Sequence, residues 1–139
     1  MSSYLLDTNV VSELARRIPH PAVFRFLDTQ DDLWLSAIVL GELTLGVHLL
    51  PHGRRRDSLS DWLSQFIADF GQRVLPIERL EAERAAAFQA HARREGRVLQ
   101  LADALIAGTA VTNDLTIATR NVRDFDGLDV AVINPWDVP

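Results

Sequence analysis

Three acidic side chains, Asp7, Glu42 and Asp103, lie within or at the end of apolar stretches of the sequence. Burying a carboxylate costs free energy unless a hydrogen-bonding partner or an opposite charge compensates it. One such residue could be an accident of packing, but three suggest a shared compensating group, for which a divalent cation is the simplest choice. The chain has no cysteine, and its four histidines show no ligand spacing, so Mg²⁺, Mn²⁺ or Ca²⁺ is favoured over Zn²⁺. Such a site suits metal-assisted attack on a phosphodiester.

Each of the three carboxylates also has an ordinary structural explanation. Asp7 could simply cap a helix, a common role for aspartate at a helix start. Glu42 could extend into solvent from an apolar helical face, and Asp103 could be a buried mid-helix residue paired with an arginine or a backbone N–H group. Without a cation, desolvation and mutual repulsion should raise the pKa values of neighbouring carboxylates. The three acids taken together therefore favour a cation site.

The bulk properties are those of one soluble domain spanning residues 1–139, with 47% hydrophobic and 24% charged residues. No apolar stretch reaches the ~18 residues of a membrane span, and the N-terminus does not resemble a signal peptide. We therefore expect a cytoplasmic protein with no membrane contact. The net charge of −5 argues against broad electrostatic binding of nucleic acid, although basic residues can still cluster locally. The cluster at residues 54–56 is interpreted as a solvated turn.

Short apolar strands alternate with helices along the chain, a pattern typical of an α/β protein with a buried parallel sheet. The predicted strands cover residues 3–6, 33–35, 74–75, 115–119 and 130–133. The predicted helices cover residues 9–17, 21–29, 37–49, 57–70, 79–95 and 100–112. Ser36 is predicted as an N-cap, and Gly96 as the residue that follows a helix C-terminus. Since sites in such sheets form beyond the carboxyl ends of the strands, the predicted acids should open onto one end of the sheet.

The helix predicted over residues 57–70 carries an apolar stripe, which we interpret chiefly as core packing. The stripe comprises Leu59, Trp62, Leu63, Phe66, Ile67 and Phe70. Part of this stripe could instead line a groove that binds a helix of a partner protein.

Five segments, taken in order, resemble the motifs of PIN-domain ribonucleases of the VapC/FitB toxin type. They are Leu5-Leu6-Asp7-Thr8-Asn9-Val10-Val11-Ser12-Glu13, Leu35-Ser36-Ala37-Ile38-Val39-Leu40-Gly41-Glu42-Leu43 followed by Gly46, Ala102-Asp103-Ala104-Leu105-Ile106-Ala107, Ala118-Thr119-Arg120-Asn121-Val122-Arg123-Asp124-Phe125, and Asn134-Pro135-Trp136. Each motif alone is weak, but the ordered set is highly specific and covers the whole chain.

The resemblance implies a PIN-like three-layer α/β/α sandwich with a central parallel sheet of about five short strands. It implies a Mg²⁺- or Mn²⁺-dependent endoribonuclease, the toxin of a type II toxin–antitoxin module, for which tRNA is one candidate substrate. It also implies a VapB-like antitoxin that neutralises the toxin and carries the DNA-binding domain, so that contact with DNA is indirect. A homodimer, and a hetero-oligomer with the antitoxin, are expected as well.

The resemblance also implies roles for particular residues. Asp7, Glu42 and Asp103 match the metal-binding acids of the family, and together with Asn121 they are the predicted catalytic residues. Asn121 stands where many relatives have an aspartate. An asparagine can still position a water molecule, but it removes one charge from the site.

Further residues are predicted to support this site. Thr8 and Thr119 could orient the metal ligands. Asp124 could supply the carboxylate that the fourth motif lacks, although a turn before Gly127 explains it at least as well. The RNA backbone would contact arginines near the site, and single-stranded or loop RNA is favoured because its base edges are accessible. The candidate RNA-binding arginines are Arg16, Arg17, Arg120 and Arg123.

Two other functions compete with this interpretation. A phosphatase or phosphotransferase of the HAD type also begins with an aspartate after its first strand. It needs a second aspartate where this chain has Asn9, and it needs a lysine, which this chain lacks. A non-catalytic PIN-like module that binds only RNA or a partner protein stays open, because Asn121 replaces an acid.

Overall fold

The structure is a computed structural model that describes residues 2–138. Within these residues, five parallel strands form a central sheet that six α-helices flank. The strands are β1 (Tyr4–Leu6), β2 (Leu33–Ser36), β3 (Val74–Leu75), β4 (Thr116–Ala118) and β5 (Val132–Ile133). The helices are α1 (Thr8–Leu14), α2 (Pro21–Thr29), α3 (Ala37–His48), α4 (Arg54–Phe70), α5 (Arg79–Arg94) and α6 (Leu101–Thr112). This is the three-layer α/β/α sandwich that the sequence predicts.

Strand β1 lies at the centre of the sheet, whose order is β3-β2-β1-β4-β5. Its side chains Leu5 and Leu6 are fully buried, as expected for a parallel sheet that is covered on both faces. Leu6 pairs with Ala118 of β4, and Ala118 pairs with Ile133 of β5. The carboxyl ends of β1, β4 and β5 therefore lie side by side at one end of the sheet.

Two predicted helix boundaries are confirmed. The Ser36 hydroxyl accepts a hydrogen bond from the Ile38 N–H at 3.2 Å and caps α3. Gly96 follows the C-terminus of α5 with a φ of +78°, and the Arg97 N–H then donates to the Ala92 carbonyl at 2.9 Å. A left-handed residue followed by this backbone bond is the Schellman arrangement that glycine favours.

The predicted end of α1 at residue 17 is wrong, because the helix ends at Leu14. The Glu13 carboxylate accepts a hydrogen bond from the His20 N–H at 2.9 Å. This bond turns the chain back towards α2 immediately after the helix, so residues 15–19 form a compact connection. Strands β4 and β5 are also shorter than the sequence predicts.

The cluster at residues 54–56 is mostly exposed to solvent, as predicted, but it is helical and not a separate turn. These arginines form the first turn of α4, which begins three residues earlier than expected, at Arg54. The Asp57 N–H donates to the Gly53 carbonyl at 3.1 Å and closes that turn. Arginine is a good helix former, so α4 can begin with these residues. Pro51 and Gly53 lie in the short connection between the end of α3 and the start of α4.

The apolar stripe of α4 faces the core, as predicted. Leu63 is buried, and Trp62, Phe66 and Phe70 are partly buried against the core cluster. The rings of Trp62 and Phe66 stack with their centroids 5.0 Å apart. No helix among residues 2–138, α4 included, is long and apolar enough to span a membrane.

Helices α5 and α6 approach each other closely at Gly108, which is buried in α6. A Cβ atom at this position would lie 2.5 Å from the Glu81 carbonyl oxygen and 3.0 Å from the Ala85 nitrogen. Both atoms belong to the backbone of α5, which cannot move aside as a flexible side chain would. Gly108 is therefore required for the spacing of these helices.

We predict that Gly108→Ala lowers the free energy of unfolding by about 1–3 kcal/mol, since it overpacks the contact between α5 and α6. Gly41→Ala is the matched control, because a Cβ atom at Gly41 in α3 would meet no atom within 4 Å. That control should raise the free energy of unfolding by up to about 1 kcal/mol through helix propensity. Urea denaturation of both variants measures the two effects, and a neutral Gly108→Ala would contradict the close packing.

Candidate catalytic site

A cavity of about 530 Å³ lies beyond the carboxyl ends of the central strands and gathers the predicted acids. We call it the acidic cavity. Its lining residues come from the β1–α1 connection, α1 and the segment after it, α3, α6 and the segments that follow β4 and β5. They are Asp7, Thr8, Asn9, Ser12, Glu13, Arg16, Glu42, Asp103, Arg120, Asn121 and Trp136. The structure thus brings Asp7, Glu42, Asp103 and Asn121 to a single cavity.

Asp7 directly follows β1 and is almost fully buried, with 6% of its surface exposed. It is the N-cap of α1, and its Oδ1 accepts a hydrogen bond from the Thr8 N–H at 2.8 Å. Its Oδ2 accepts one from the Thr119 hydroxyl at 2.7 Å and one from the Asn9 amide at 3.2 Å. Burial raises the pKa of Asp7, aided by the charge of Glu42, and these hydrogen bonds only partly offset the rise. Asp7 is both a helix cap and a member of the site.

Thr119 and Asn9 join the segment after β1 to the segment after β4. The Thr119 hydroxyl accepts hydrogen bonds from the Asn9 amide and the Asn121 N–H, both at 3.1 Å. The Asn9 carbonyl oxygen accepts one from the Arg120 N–H at 3.0 Å. The sequence predicts a supporting role for Thr119 but not for Asn9. The position of Asn9 two residues after Asp7 could have indicated that it lies at the site.

Glu42 reaches the acidic cavity from α3, where it is half-buried. Its Oε1 accepts a hydrogen bond from the Thr8 hydroxyl at 2.7 Å, so Thr8 contacts one of the predicted acids directly. The face of α3 around Glu42 is less enclosed than the sequence suggests, since Leu45 is 58% exposed and Gly46 is exposed too. Apolar helical neighbours therefore did not imply burial here.

Asp103 occupies the first turn of α6, and the mid-helix position inferred from the sequence is wrong. An acid in a first turn is favoured by the helix dipole, which lowers the cost of placing it there. Even so, burial together with the negative charges of Asp124, Asp7 and Glu42 raises the pKa of Asp103 to about 6. The repulsion among these carboxylates marks a place that a cation would stabilise.

The donor set fits a hard divalent cation. None of the ion pairs within residues 2–138 includes Asp7, Glu42 or Asp103, so no arginine neutralises them. Within the same residues, no group of three or more histidine or acidic side chains is arranged to hold one ion by itself. Mg²⁺ commonly binds through one or two carboxylates and keeps several waters. Asp7 and Asp103 could serve as direct ligands of this kind, with Glu42 acting through water.

Two residues of the fourth motif are placed differently from each other. Asn121 is exposed and lines the acidic cavity. Asp124 lies in the 3₁₀ turn Val122–Phe125 and does not line the cavity, although its charge contributes to the raised pKa of Asp103. Asp124 thus adds negative charge near the site without taking the place of Asn121.

The four predicted RNA-binding arginines are not equivalent. Arg16 and Arg120 line the acidic cavity. Arg17 lines a second, adjoining space between α1, α3 and α4. Arg123 is exposed and lines neither space. Arg123 is therefore the weakest of the four candidates.

Glu13 is a buried acid of the cavity that sequence analysis missed. It is 5% exposed, and both of its oxygens accept hydrogen bonds from Arg16 at 3.2 Å. Burial alone would raise its pKa, but the His20 N–H and the Arg16 guanidinium outweigh burial and hold the pKa of Glu13 below its ordinary value. Glu13 therefore acts as a fixed anion that holds Arg16 at the cavity wall.

A second space of about 760 Å³ adjoins the acidic cavity between α1, α3 and α4, and we call it the apolar groove. Apolar side chains dominate its lining: Ala15, Ile18, Leu43, Val47, Leu50, Leu59, Trp62 and Leu63. Thr8, Ser12, Arg16 and Glu42 line both spaces. Part of the α4 stripe thus faces a groove as well as the core.

Fold and site together define a class of protein, a parallel α/β sandwich that gathers acidic side chains in a cavity beyond the carboxyl ends of its central strands. A family profile described as PIN domain matches residues 4–130. This chain belongs to the PIN-domain family, which confirms the resemblance carried by the sequence motifs.

Named relatives place the chain more narrowly within that family. It is similar to Toxin FitB from Neisseria gonorrhoeae, with 42% identity over 95% of this chain and 97% of the relative. It is similar to VapC ribonuclease Y4jK from Sinorhizobium fredii, with 39% identity over 96% of this chain and 97% of the relative. A solved structure of FitAB bound to an IR36 DNA fragment superposes with a TM-score of 0.90 at 39% identity. The match covers 98% of this chain and 97% of the solved chain.

The raised pKa of Asp103 predicts how stability depends on pH. Between its ordinary pKa and about 6, the folded protein holds a proton that the unfolded chain has released. The free energy of unfolding of the metal-free protein should therefore fall as pH rises through this window and stay low above it. Asp103→Asn should flatten this dependence and raise the melting temperature in EDTA at pH 7.5.

The same melting experiment with added Mg²⁺ tests the cation. Wild-type protein should gain melting temperature with Mg²⁺ above pH 6, because the ion binds the ionised carboxylates of the folded state. Asp103→Asn should gain much less. Asp28→Asn, at an exposed position in α2 outside both spaces, carries the same charge change and should behave as wild type. If the melting temperature of the wild-type protein changes with neither pH nor Mg²⁺, the assignment of Asp103 to a cation site is contradicted.

Proposed function

We propose that this protein is a Mg²⁺- or Mn²⁺-dependent endoribonuclease that serves as the toxin of a type II toxin–antitoxin module. The observation that carries the proposal is the convergence of Asp7, Glu42 and Asp103 on one cavity, where none of the three forms an ion pair within residues 2–138. The relatives named as a toxin and as a ribonuclease support it, since they align with nearly the whole chain.

The residues of the acidic cavity divide into three roles. Asp7 and Asp103 would hold the ion directly, and Glu42 would bind through water or hold a second ion. Thr119 and Asn9 fix the Asp7 carboxylate, and Thr8 fixes Glu42, so the ligands are oriented before substrate arrives. When bound, the ion would make the attacking water more acidic and offset negative charge in the transition state.

Arginines at the cavity would supply the contacts to RNA. Arg16, held by Glu13, and Arg120, held at its backbone by Asn9, could bind phosphates on either side of the scissile bond. Asn121 could position the attacking water. In-line attack would leave a 3′-hydroxyl and a 5′-phosphate, and tRNA is a candidate among structured substrates with accessible loops.

We predict that the purified chain, freed of any partner, cuts total RNA or a tRNA panel into discrete products with Mg²⁺ or Mn²⁺. Asp7→Asn and Asp103→Asn should each reduce the rate at least about a hundred-fold, the scale for losing one electrostatic group of an active site. EDTA should abolish cleavage. Product ends can be read by their sensitivity to phosphatase and by ligation.

Asp28→Asn is again the matched control and should cleave at the wild-type rate. Cleavage that persists in EDTA, or in a folded Asp103→Asn protein, would refute the proposed chemistry. Mg²⁺ binding with no cleavage of any RNA would favour the non-catalytic alternative, a PIN-like module that binds only RNA or a partner. The replacement of an acid by Asn121 is the observation that keeps this alternative in view.

The apolar groove is the proposed binding site of a VapB-like antitoxin. An amphipathic helix buries its apolar face in grooves of this kind. The lining side chains Leu59 and Trp62 offer an apolar floor, whereas Arg17 and Arg55 could contact acidic side chains of the occupant. The solved structure described as FitAB bound to an IR36 DNA fragment supports an assembly of toxin and partner that binds DNA.

A homodimer is the proposed state of the chain alone. Large apolar side chains stay exposed on α3 and at its C-cap, where Leu45 is 58% and Leu49 is 75% exposed. Contact between two copies would remove such side chains from water. The toxin would then form a hetero-oligomer when antitoxin binds.

We predict that Ile18→Asp weakens binding of the proposed VapB-like antitoxin by at least about ten-fold. Ile18 is 79% exposed and lines the apolar groove, so the change should cost binding rather than folding. Val98→Asp is the matched control, since Val98 is 87% exposed and lies outside the groove. Light scattering with titration calorimetry reports both affinity and mass. The chain alone should have twice its 15.5 kDa mass, and equal losses in both variants would argue against the groove.

A further inference from the structure

An arginine and a tryptophan form a cation–π pair within the acidic cavity. The guanidinium carbon of Arg120 lies over the Trp136 ring, 5.1 Å from its centroid. Both residues line the cavity that also contains Asp7 and Asp103. Arg120 is exposed and Trp136 is half-buried. An aromatic ring and a planar cation are thus presented together beside the proposed metal ligands.

Hydrogen bonds hold the backbone of both Arg120 and Trp136 in place. The Arg120 N–H donates to the Asn9 side chain at 3.0 Å, and the Trp136 N–H donates to the Asn134 side chain at 2.9 Å. Pro135 is fully buried and anchors the segment after β5. Since β4 and β5 are paired neighbours, the Arg120–Trp136 pair has a fixed position relative to Asp7.

Arg120 keeps its hydrogen-bonding capacity. None of the ion pairs within residues 2–138 includes it. The N–H groups of a guanidinium point outward in its plane, and its two faces stack on aromatic rings. With its guanidinium carbon 5.1 Å from the centroid of the Trp136 ring, Arg120 can offer a face to a second ring while its N–H groups contact a phosphate.

We propose that Arg120 and Trp136 form a stacking platform for one unstacked nucleobase of single-stranded RNA, next to the phosphate that is cleaved. The proposal rests on the proposed ribonuclease function and adds a base-binding site to it. Proteins that bind single-stranded RNA stack bases on aromatic rings and on arginine planes. A base held in a duplex is already stacked, so the platform would favour loops and single strands.

Intrinsic fluorescence of the full chain can test the platform. Trp34→Phe and Trp62→Phe leave Trp136 as the single tryptophan of the three. This protein is titrated, with Ca²⁺ in place of Mg²⁺ to slow turnover, against an oligoadenylate of about ten nucleotides. The comparison ligand is an abasic ribose-phosphate chain of equal length and charge. Labelled versions of both ligands give affinities by anisotropy for variants that lack Trp136.

Oligoadenylate should quench Trp136 emission and bind about ten-fold or more tightly than the abasic chain, the scale of stacking one base. Trp136→Leu should lose this preference. Arg120→Lys keeps the charge but not the plane, so it should lose most of the preference while binding the abasic chain as before. Arg25→Lys, at an exposed arginine in α2 outside both spaces, should leave both affinities unchanged.

Equal affinity of the single-tryptophan protein for both ligands would overturn the platform, as would a full base preference in Arg120→Lys. The arginine variant keeps the test decisive even if Trp136→Leu fails to fold, because Arg120 is exposed. The experiments distinguish failure of the stacking platform from failure of the proposed ribonuclease function. RNA cleavage without base preference overturns only the platform, and base-dependent binding without cleavage overturns only the nuclease.

Discussion

The buried carboxylate of Asp7 is the constraint on which the site depends. It lies at the end of the central strand, 6% exposed, where an unsatisfied anion would be costly. Its hydrogen-bond donors come from Thr8 and Asn9 nearby and from Thr119, which is 112 residues away in sequence. That long-range bond is possible only because β1 and β4 are paired in register, Leu6 opposite Ala118. The pairing of β1 with β4, which sets the order of the sheet, is therefore also required for the hydrogen bond that holds Asp7 in the site.

Hydrogen bonds satisfy the oxygens of Asp7 but do not remove its charge. Glu42 and Asp103 bring further negative charge to the same cavity, and the pKa values of Asp7 and Asp103 stay raised. A site built only for stability would place a basic residue here, as the protein does at Glu13, where Arg16 and the His20 N–H lower the pKa. The contrast between Asp7 and Glu13, both buried acids, supports the proposed cation site.

Sequence patterns were sufficient for features that depend on neighbouring residues. The strands, the Ser36 cap, the Gly96 terminus and the location of Asp7 after β1 all follow from local composition and periodicity. Features that depend on contacts across the fold were not accessible in this way. The early end of α1 is accompanied by a hydrogen bond from the His20 N–H to the Glu13 carboxylate, and the side chain of Asn9 is held by hydrogen bonds to the segment after β4. Asp103 is instructive, because its place in the site was predicted although its inferred mid-helix position was wrong.

The charge of the chain also has a consequence for how RNA would be bound. A protein with a net charge of −5 and a cavity of carboxylates repels phosphate. Arg16 and Arg120 offset this only locally, and Glu13 already neutralises part of the charge of Arg16. The cation that would relieve repulsion among the carboxylates would also relieve repulsion between them and the scissile phosphate. Metal binding would thus be a condition for productive substrate binding as well as for chemistry. The stacking of a base on Arg120 and Trp136 would in turn contribute affinity that does not depend on net charge.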